Sequence, residues 1–152
     1  MPYKICKTLE VENAHMLSKH PDSCKYPHGH SRKIEFVLET DSLDENQMVC
    51  DFKIIKEACL DYVEKFDHAI CINTDDPNFE TLKKVYGDNV IEYKNLDPTT
   101  EILARDIFDK CRQRLTEYAK DQQARFKLSP KVILKSVKVW ETSSSWAEYS
   151  EE

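Results

Sequence analysis

No apolar run in this chain approaches the roughly 20 residues that a helix needs to cross a bilayer. The opening MPYKICKTLE lacks the apolar core of a secretory signal. A membrane span is therefore not expected, and the expected compartment is the cytoplasm. Positive charge is also scarce: 22 Lys and Arg face 28 Asp and Glu, leaving a net charge of -6. Nucleic acid and anionic membrane both call for a basic patch, so neither is an expected partner. The six cysteines, at 6, 24, 50, 59, 71 and 111, include no CxxC pair. Scattered thiols without a secretory signal argue against a disulfide framework. No internal repeat or linker interrupts the sequence, and 152 residues suffice for one domain with a real core. A single domain over residues 1–152 is the expectation.

Periodicity supplies the elements. Ile5, Leu9 and Val11 among polar neighbours predict a strand over 3–15 that ends at Asn13-Ala14-His15. The polar stretch SKHPDSCKYP is a loop. Ile34, Phe36 and Leu38 alternate with Lys33, Glu35 and Glu39, which predicts a half-buried strand. Ile55, Ala58, Cys59, Tyr62, Val63 and Phe66 form a helical stripe over about 52–66, with Asp51 as its N-cap. Cys59 and Cys111 sit on such stripes and read as small core hydrophobes. NTDDPN is a loop, 79–86 reads as one or two helical turns, and 90–93 as a short extended piece. Asp97-Pro98-Thr99-Thr100-Glu101 starts a second long helix, with Pro98 suited to its first turn. Alternation from Val132 to Glu141, a turn, and Trp146 to Tyr149 predict two closing strands. The order ββααββ predicts an α+β fold: a four-stranded antiparallel sheet with two helices on one face. Its long edges predict a homo-oligomer closed through sheet edges.

The chemistry concentrates at Cys24-Lys25-Tyr26-Pro27-His28-Gly29-His30. On an extended strand His28 and His30 project to one face, and Gly29 removes a side chain where the two rings converge. His15 at the preceding strand end offers a third nitrogen. Three protein ligands with an open fourth position describe a catalytic zinc, although HxH pairs also occur in plain strands. Cys24 could close the site as a fourth ligand or stand free as a base, and spacing leaves both open. His20, beside Pro21, reads as an exposed loop residue. Asp67-His68 suits proton transfer, but taken alone a solvated helix C-terminus is the better reading. Glu141 could pair with an N–H edge of a ring, or simply end a strand. Glu101 fits the first turn of a helix by its charge alone.

In chain order, His15, Cys24-x3-His28-Gly29-His30, Met48-Val49-Cys50-Asp51-Phe52, Asp67-His68, Pro98-Thr99-Thr100-Glu101 and Glu141-Thr142 resemble the 6-pyruvoyl-tetrahydropterin synthase family. The three-residue gap from Cys24 to His28 is similar to that of the bacterial 6-carboxy-tetrahydropterin synthases of queuosine biosynthesis. The resemblance implies a tunnelling fold, in which subunits join their sheets into a barrel, commonly in hexamers with active sites at interfaces. It implies Zn2+ on His15, His28 and His30, proton handling by Cys24, Asp67 and His68, and a pterin ring anchored by Glu141 beside Thr100 and Glu101. The implied substrate is 7,8-dihydroneopterin triphosphate, converted to 6-carboxy-5,6,7,8-tetrahydropterin with loss of triphosphate and acetaldehyde. Elimination to the pyruvoyl product, or a non-catalytic zinc- and pterin-binding protein of the same fold, are the alternatives. A zinc hydrolase of the barrel type would need a much longer chain. Two positions depart from the family pattern: Arg32 where an aromatic is usual, and Gln47 where glycine often precedes Met-Val. Arg32 shares the parity of His28 and His30, so it is expected to face the site, where it could meet the triphosphate.

Overall fold

Alternating apolar and charged residues draw out two long strands, β1 (Tyr3–Met16) and β2 (His28–Thr40), which pair antiparallel over their full length. The computed structural model describes residues 2–151. Four further strands join this pair: β3 (Ala69–Asn73), β4 (Val90–Tyr93), β5 (Ile133–Thr142) and β6 (Ser145–Ser150). Their spatial order is β4-β3-β1-β2-β5-β6. The sheet is therefore six-stranded and mixed rather than four-stranded and antiparallel, because β3 runs parallel to β1 and β4 parallel to β3. β3 reads AICIN, a short apolar run without alternation, which periodicity alone does not identify as a strand.

There are three helices rather than two, the turns expected over 79–86 forming the third: α1 (Lys53–Val63), α2 (Phe79–Tyr86) and α3 (Thr100–Lys120). α1 and α3 cover one face, packing Ile55, Cys59, Ile107 and Phe108 against Leu9, Ile34, Phe36 and Val137. α2 lies on the other face at the β3–β4 end, where Phe79 and Leu82 meet Met16, Ile72 and Val90. The expectation that all helices share one face holds for α1 and α3 only. Helix starts also differ in detail. Phe52 occupies the cap position of α1, and Asp51 accepts the Lys53 N–H at 2.8 Å from one residue further out. Past Val63 a 3-10 turn carries the chain to Phe66. Thr99 caps α3 by accepting the Ile102 N–H at 3.2 Å, so Pro98 stands just outside the helix.

The strand alternation of 132–141 is broken by a bulge. Val37 pairs with Ser136 while Leu38 pairs with Leu134, which leaves Lys135 over. The extra residue lets Leu134, Val137 and Val139 all reach the core. All six cysteines are free thiols, with Cys50, Cys59, Cys71 and Cys111 buried. Among the described residues, no helix is long and apolar enough to cross a membrane.

The segment between β2 and α1 is held by Asp44, whose carboxylate accepts the N–H groups of Asn46 and Met48 at 2.8 and 3.0 Å. The tight turn drives Gln47 to a φ of +60°, in the left-handed region that suits glycine. Gln47→Gly is expected to raise the unfolding free energy by up to about 1 kcal/mol in urea titrations. A loss of stability instead would show that the glutamine side chain outweighs the backbone cost.

Candidate functional site

The ladder between β1 and β2 sets Asn13 opposite His30 and His15 opposite His28. Partners across a ladder share a face, and here it is the face that carries α1 and α3. The three imidazoles meet there with ring centroids 4.5 to 5.1 Å apart. One ligand nitrogen from each lies within 4.8 Å of the other two. His15 Nε2 and His30 Nε2 are 3.2 Å apart. Two nitrogens bound at about 2.0–2.1 Å to one tetrahedral ion would sit at nearly this spacing. The tautomers agree. His15 Nδ1 lies 2.8 Å from the Pro98 carbonyl and His28 Nδ1 2.8 Å from the Tyr26 carbonyl. A carbonyl only accepts, so each Nδ1 carries the proton and each Nε2 keeps its lone pair. These three residues fit a metal ion with an open coordination position.

Gly29 lies on the opposite face from the rings it separates in sequence. A Cβ there would meet Asn13 O at an ordinary 3.7 Å. The rings therefore do not require glycine between them, and the fold of this chain gives no other reason for it. Cys24, half-buried in a 3-10 turn (Ser23–Lys25), lies outside the imidazole cluster.

Arg32, Thr100 and Glu141 adjoin the same cluster. Arg32 is buried, with Nε donating to Asn13 Oδ1 at 3.2 Å and Nη1 to Thr100 Oγ1 at 3.2 Å. Thr100 Oγ1 donates in turn to Glu141 Oε1 at 2.5 Å, and that oxygen lies 3.9 Å from His15 Nε2. Burial alone would raise the Glu141 pKa, but the Thr100 hydroxyl, His30, His15 and Arg32 outweigh it and hold the carboxyl below its ordinary value. Burial lowers His30 as well, with Arg32 adding to the effect. The enclosure of Arg32 leaves no exposed edge for a triphosphate, which speaks against the contact expected from its parity. Asn13 went unmarked in the sequence, although it stands two residues before His15 and shares its face. Its amide donates to the Phe66 and Ala69 carbonyls at 2.9 and 3.2 Å, tying β1 to the start of β3.

The other candidate residues are not drawn into the cluster. Asp67 accepts the Glu12 N–H at 2.7 Å through Oδ1, and through Oδ2 it faces His68 Nδ1 at 3.0 Å. The Glu12 N–H and His68 hold the Asp67 carboxyl below its ordinary value. His68 takes a left-handed φ of +59°, donates its N–H to the Glu12 carbonyl, and exposes its ring. Glu101 is exposed in the first turn of α3. His20 Nδ1 accepts the Asp22 N–H at 3.0 Å, a turn contact apart from the cluster.

Burial, opposed by the Pro98 hydrogen bond and reinforced by Arg32, lowers His15 from 6.5 to about 4. Between those values the unfolded chain binds a proton that the folded chain does not, so stability rises with pH across that window. The metal-free protein is expected to lose up to about 3 kcal/mol from this group as pH falls from 6.5 toward 4. Urea unfolding of the wild type and His15→Gln would read it as a slope that the variant lacks. Equal slopes would reject the assignment.

The profile of the family described as 6-pyruvoyl tetrahydropterin synthase matches residues 4–152. A curated relative, the 6-carboxy-5,6,7,8-tetrahydropterin synthase of Aquifex aeolicus, is 32% identical over 170 residues, covering 100% of both chains. Two solved structures share the fold. An uncharacterized Wolinella succinogenes protein superposes with a TM-score of 0.78 at 21% identity, covering 100% of this chain and 99% of that one. A catalytic-residue mutant of the Plasmodium vivax 6-pyruvoyltetrahydropterin synthase gives 0.73 at 16% identity, with the same coverage. With the family profile running almost end to end over the strands and helices that build the imidazole cluster, the chain belongs to the 6-pyruvoyl tetrahydropterin synthase family.

Proposed function

We propose that this chain is a zinc-dependent lyase that converts 7,8-dihydroneopterin triphosphate to 6-carboxy-5,6,7,8-tetrahydropterin, releasing triphosphate and acetaldehyde, as in queuosine biosynthesis. The observation that carries the reading is the convergence of three imidazoles on a space that Glu141 also borders. The identity with the Aquifex aeolicus synthase supports the carboxy product. Three neutral nitrogen donors suit Zn2+ in an open, catalytic site. When bound, the ion would supply Lewis-acid polarisation to the oxygens of the substrate side chain.

The remaining roles fall to the chain itself. Glu141, held as a carboxylate, can accept the paired N–H groups of a 2-amino-4-oxo ring edge, and Thr100 fixes its orientation. Asp67, pinned by the Glu12 N–H, fixes the proton of His68 on Nδ1, which leaves Nε2 to exchange protons. Cys24 is the companion base, since it stands outside the imidazole cluster rather than within it.

Cys24→Ala is expected to cut acetaldehyde release at least about 100-fold while stoichiometric zinc is retained, and His30→Ala to lose the zinc. Mass spectrometry of products and elemental analysis read both. Zinc lost with the thiol would make Cys24 a ligand. The family description as a pyruvoyl synthase favours a second reading, in which triphosphate is eliminated and no acetaldehyde appears.

The proposal includes a cytoplasmic homo-oligomer, of the hexameric kind, with active sites at subunit interfaces. The free edges of β4 and β6 and the exposed Asp67–His68 pair support it. Gel filtration with light scattering is expected to give a multiple of the 17.8 kDa chain mass. A monomer would overturn this part of the proposal.

A further inference from the structure

Arg32 is 2% exposed and contacts both His15 and Thr100. A guanidinium carries only donors. Its Nη1 donates to Thr100 Oγ1, so the single hydroxyl proton of Thr100 is free for one other partner. That partner is Glu141 Oε1 at 2.5 Å. Thr100 is thus held from both sides, by a donor at Arg32 and an acceptor at Glu141. Asn13 Oδ1 at 3.2 Å and the Trp140 carbonyl at 3.5 Å hold the guanidinium from other sides.

Nη2 of the same group lies 3.3 and 3.5 Å from the two ring nitrogens of His15. His15 Nδ1 already donates to Pro98, and an in-plane approach between the nitrogens would collide with Cε1. Nη2 thus rests over the ring face, as a cation over an aromatic. One buried side chain touches both a metal-ligand candidate and the hydroxyl that orients Glu141. The second carboxylate oxygen, Glu141 Oε2, accepts no hydrogen bond among the described residues.

We propose that Arg32 is a positioning residue that, by holding the Thr100 hydroxyl, fixes where the Glu141 carboxylate stands, so that Oε2 is left to accept from the ring. The site thereby selects rings with a paired N–H edge over rings that place an oxygen there. This inference rests on the pterin reading given above. It needs no exposed guanidinium and gives the buried one a function.

The test is binding of two fluorescent probes to the zinc-loaded protein: pterin, with a 2-amino group, and lumazine, with a 2-oxo group. The wild type is expected to favour pterin by at least about tenfold, the discrimination that one charged hydrogen bond supplies. Arg32→Met and Thr100→Val should each weaken pterin at least about tenfold and shrink the pterin-to-lumazine ratio. The double variant should bind no worse than the weaker single variant, and Thr100→Ser, which keeps the hydroxyl, should restore the preference. Thr100→Val is nearly isosteric, so it carries the test if Arg32→Met fails to fold. Pterin binding unchanged in either variant, or losses that multiply in the double variant, would overturn the positioning role alone. A wild type that binds neither ring would overturn the pterin reading itself.

Discussion

The register of β1 against β2 is the constraint on which the site depends. It sets Val11 opposite Arg32, Asn13 opposite His30 and His15 opposite His28. A slip of one residue would turn every one of these side chains on one strand to the other face. What fixes the register lies at the opposite end of the same ladder, where Leu9, Ile34, Phe36 and Leu38 are buried beneath α1 and α3. The apolar half of two strands thus positions the polar half. α3 is bound into the same logic, because its Thr99 cap leaves Pro98 outside the helix with its carbonyl on His15.

The electrostatic composition of the site follows from this crowding. Three imidazoles, a guanidinium and a carboxylate share a partly dry space. Burial keeps His15 neutral far below neutral pH, which is the state a metal ligand needs. A buried arginine is costly unless its donors are met. Asn13, Thr100 and the Trp140 carbonyl meet them, and Glu141 opposes the charge through one intervening hydroxyl. The carboxylate and the cation are held apart yet coupled.

Much of this was legible in the sequence, and what was not has physical causes. HxH spacing and strand parity identify His28, His30 and Arg32 as sharing one face, and the β1–β2 register brings His15 to it. Thr100 and Glu141 carry no such signal. A first-turn threonine and a strand-end carboxylate are common, and only the order of motifs along the chain singles them out. Asn13 was open to the same parity reasoning as His15. β3 was not legible, since a short apolar run gains its strand identity from a parallel partner more than fifty residues away. The helical turns read at 79–86 are α2, but its place on the opposite face was not legible, because it packs on the β3–β4 end. The bulge at Lys135 likewise shows only in the pairing with β2.

The two imidazoles whose tautomers are fixed by Pro98 and Tyr26 owe that orientation to main-chain carbonyls, not to side chains. A carboxylate in that outer position can be removed by a single base change, and a carbonyl cannot. Substitution at Pro98 or Tyr26 alters the support only by moving the backbone, which the Thr99 cap and the β2 ladder resist. The orientation of these ligands is thus buffered against mutation, and is inherited with the path of the chain rather than with particular residues around it.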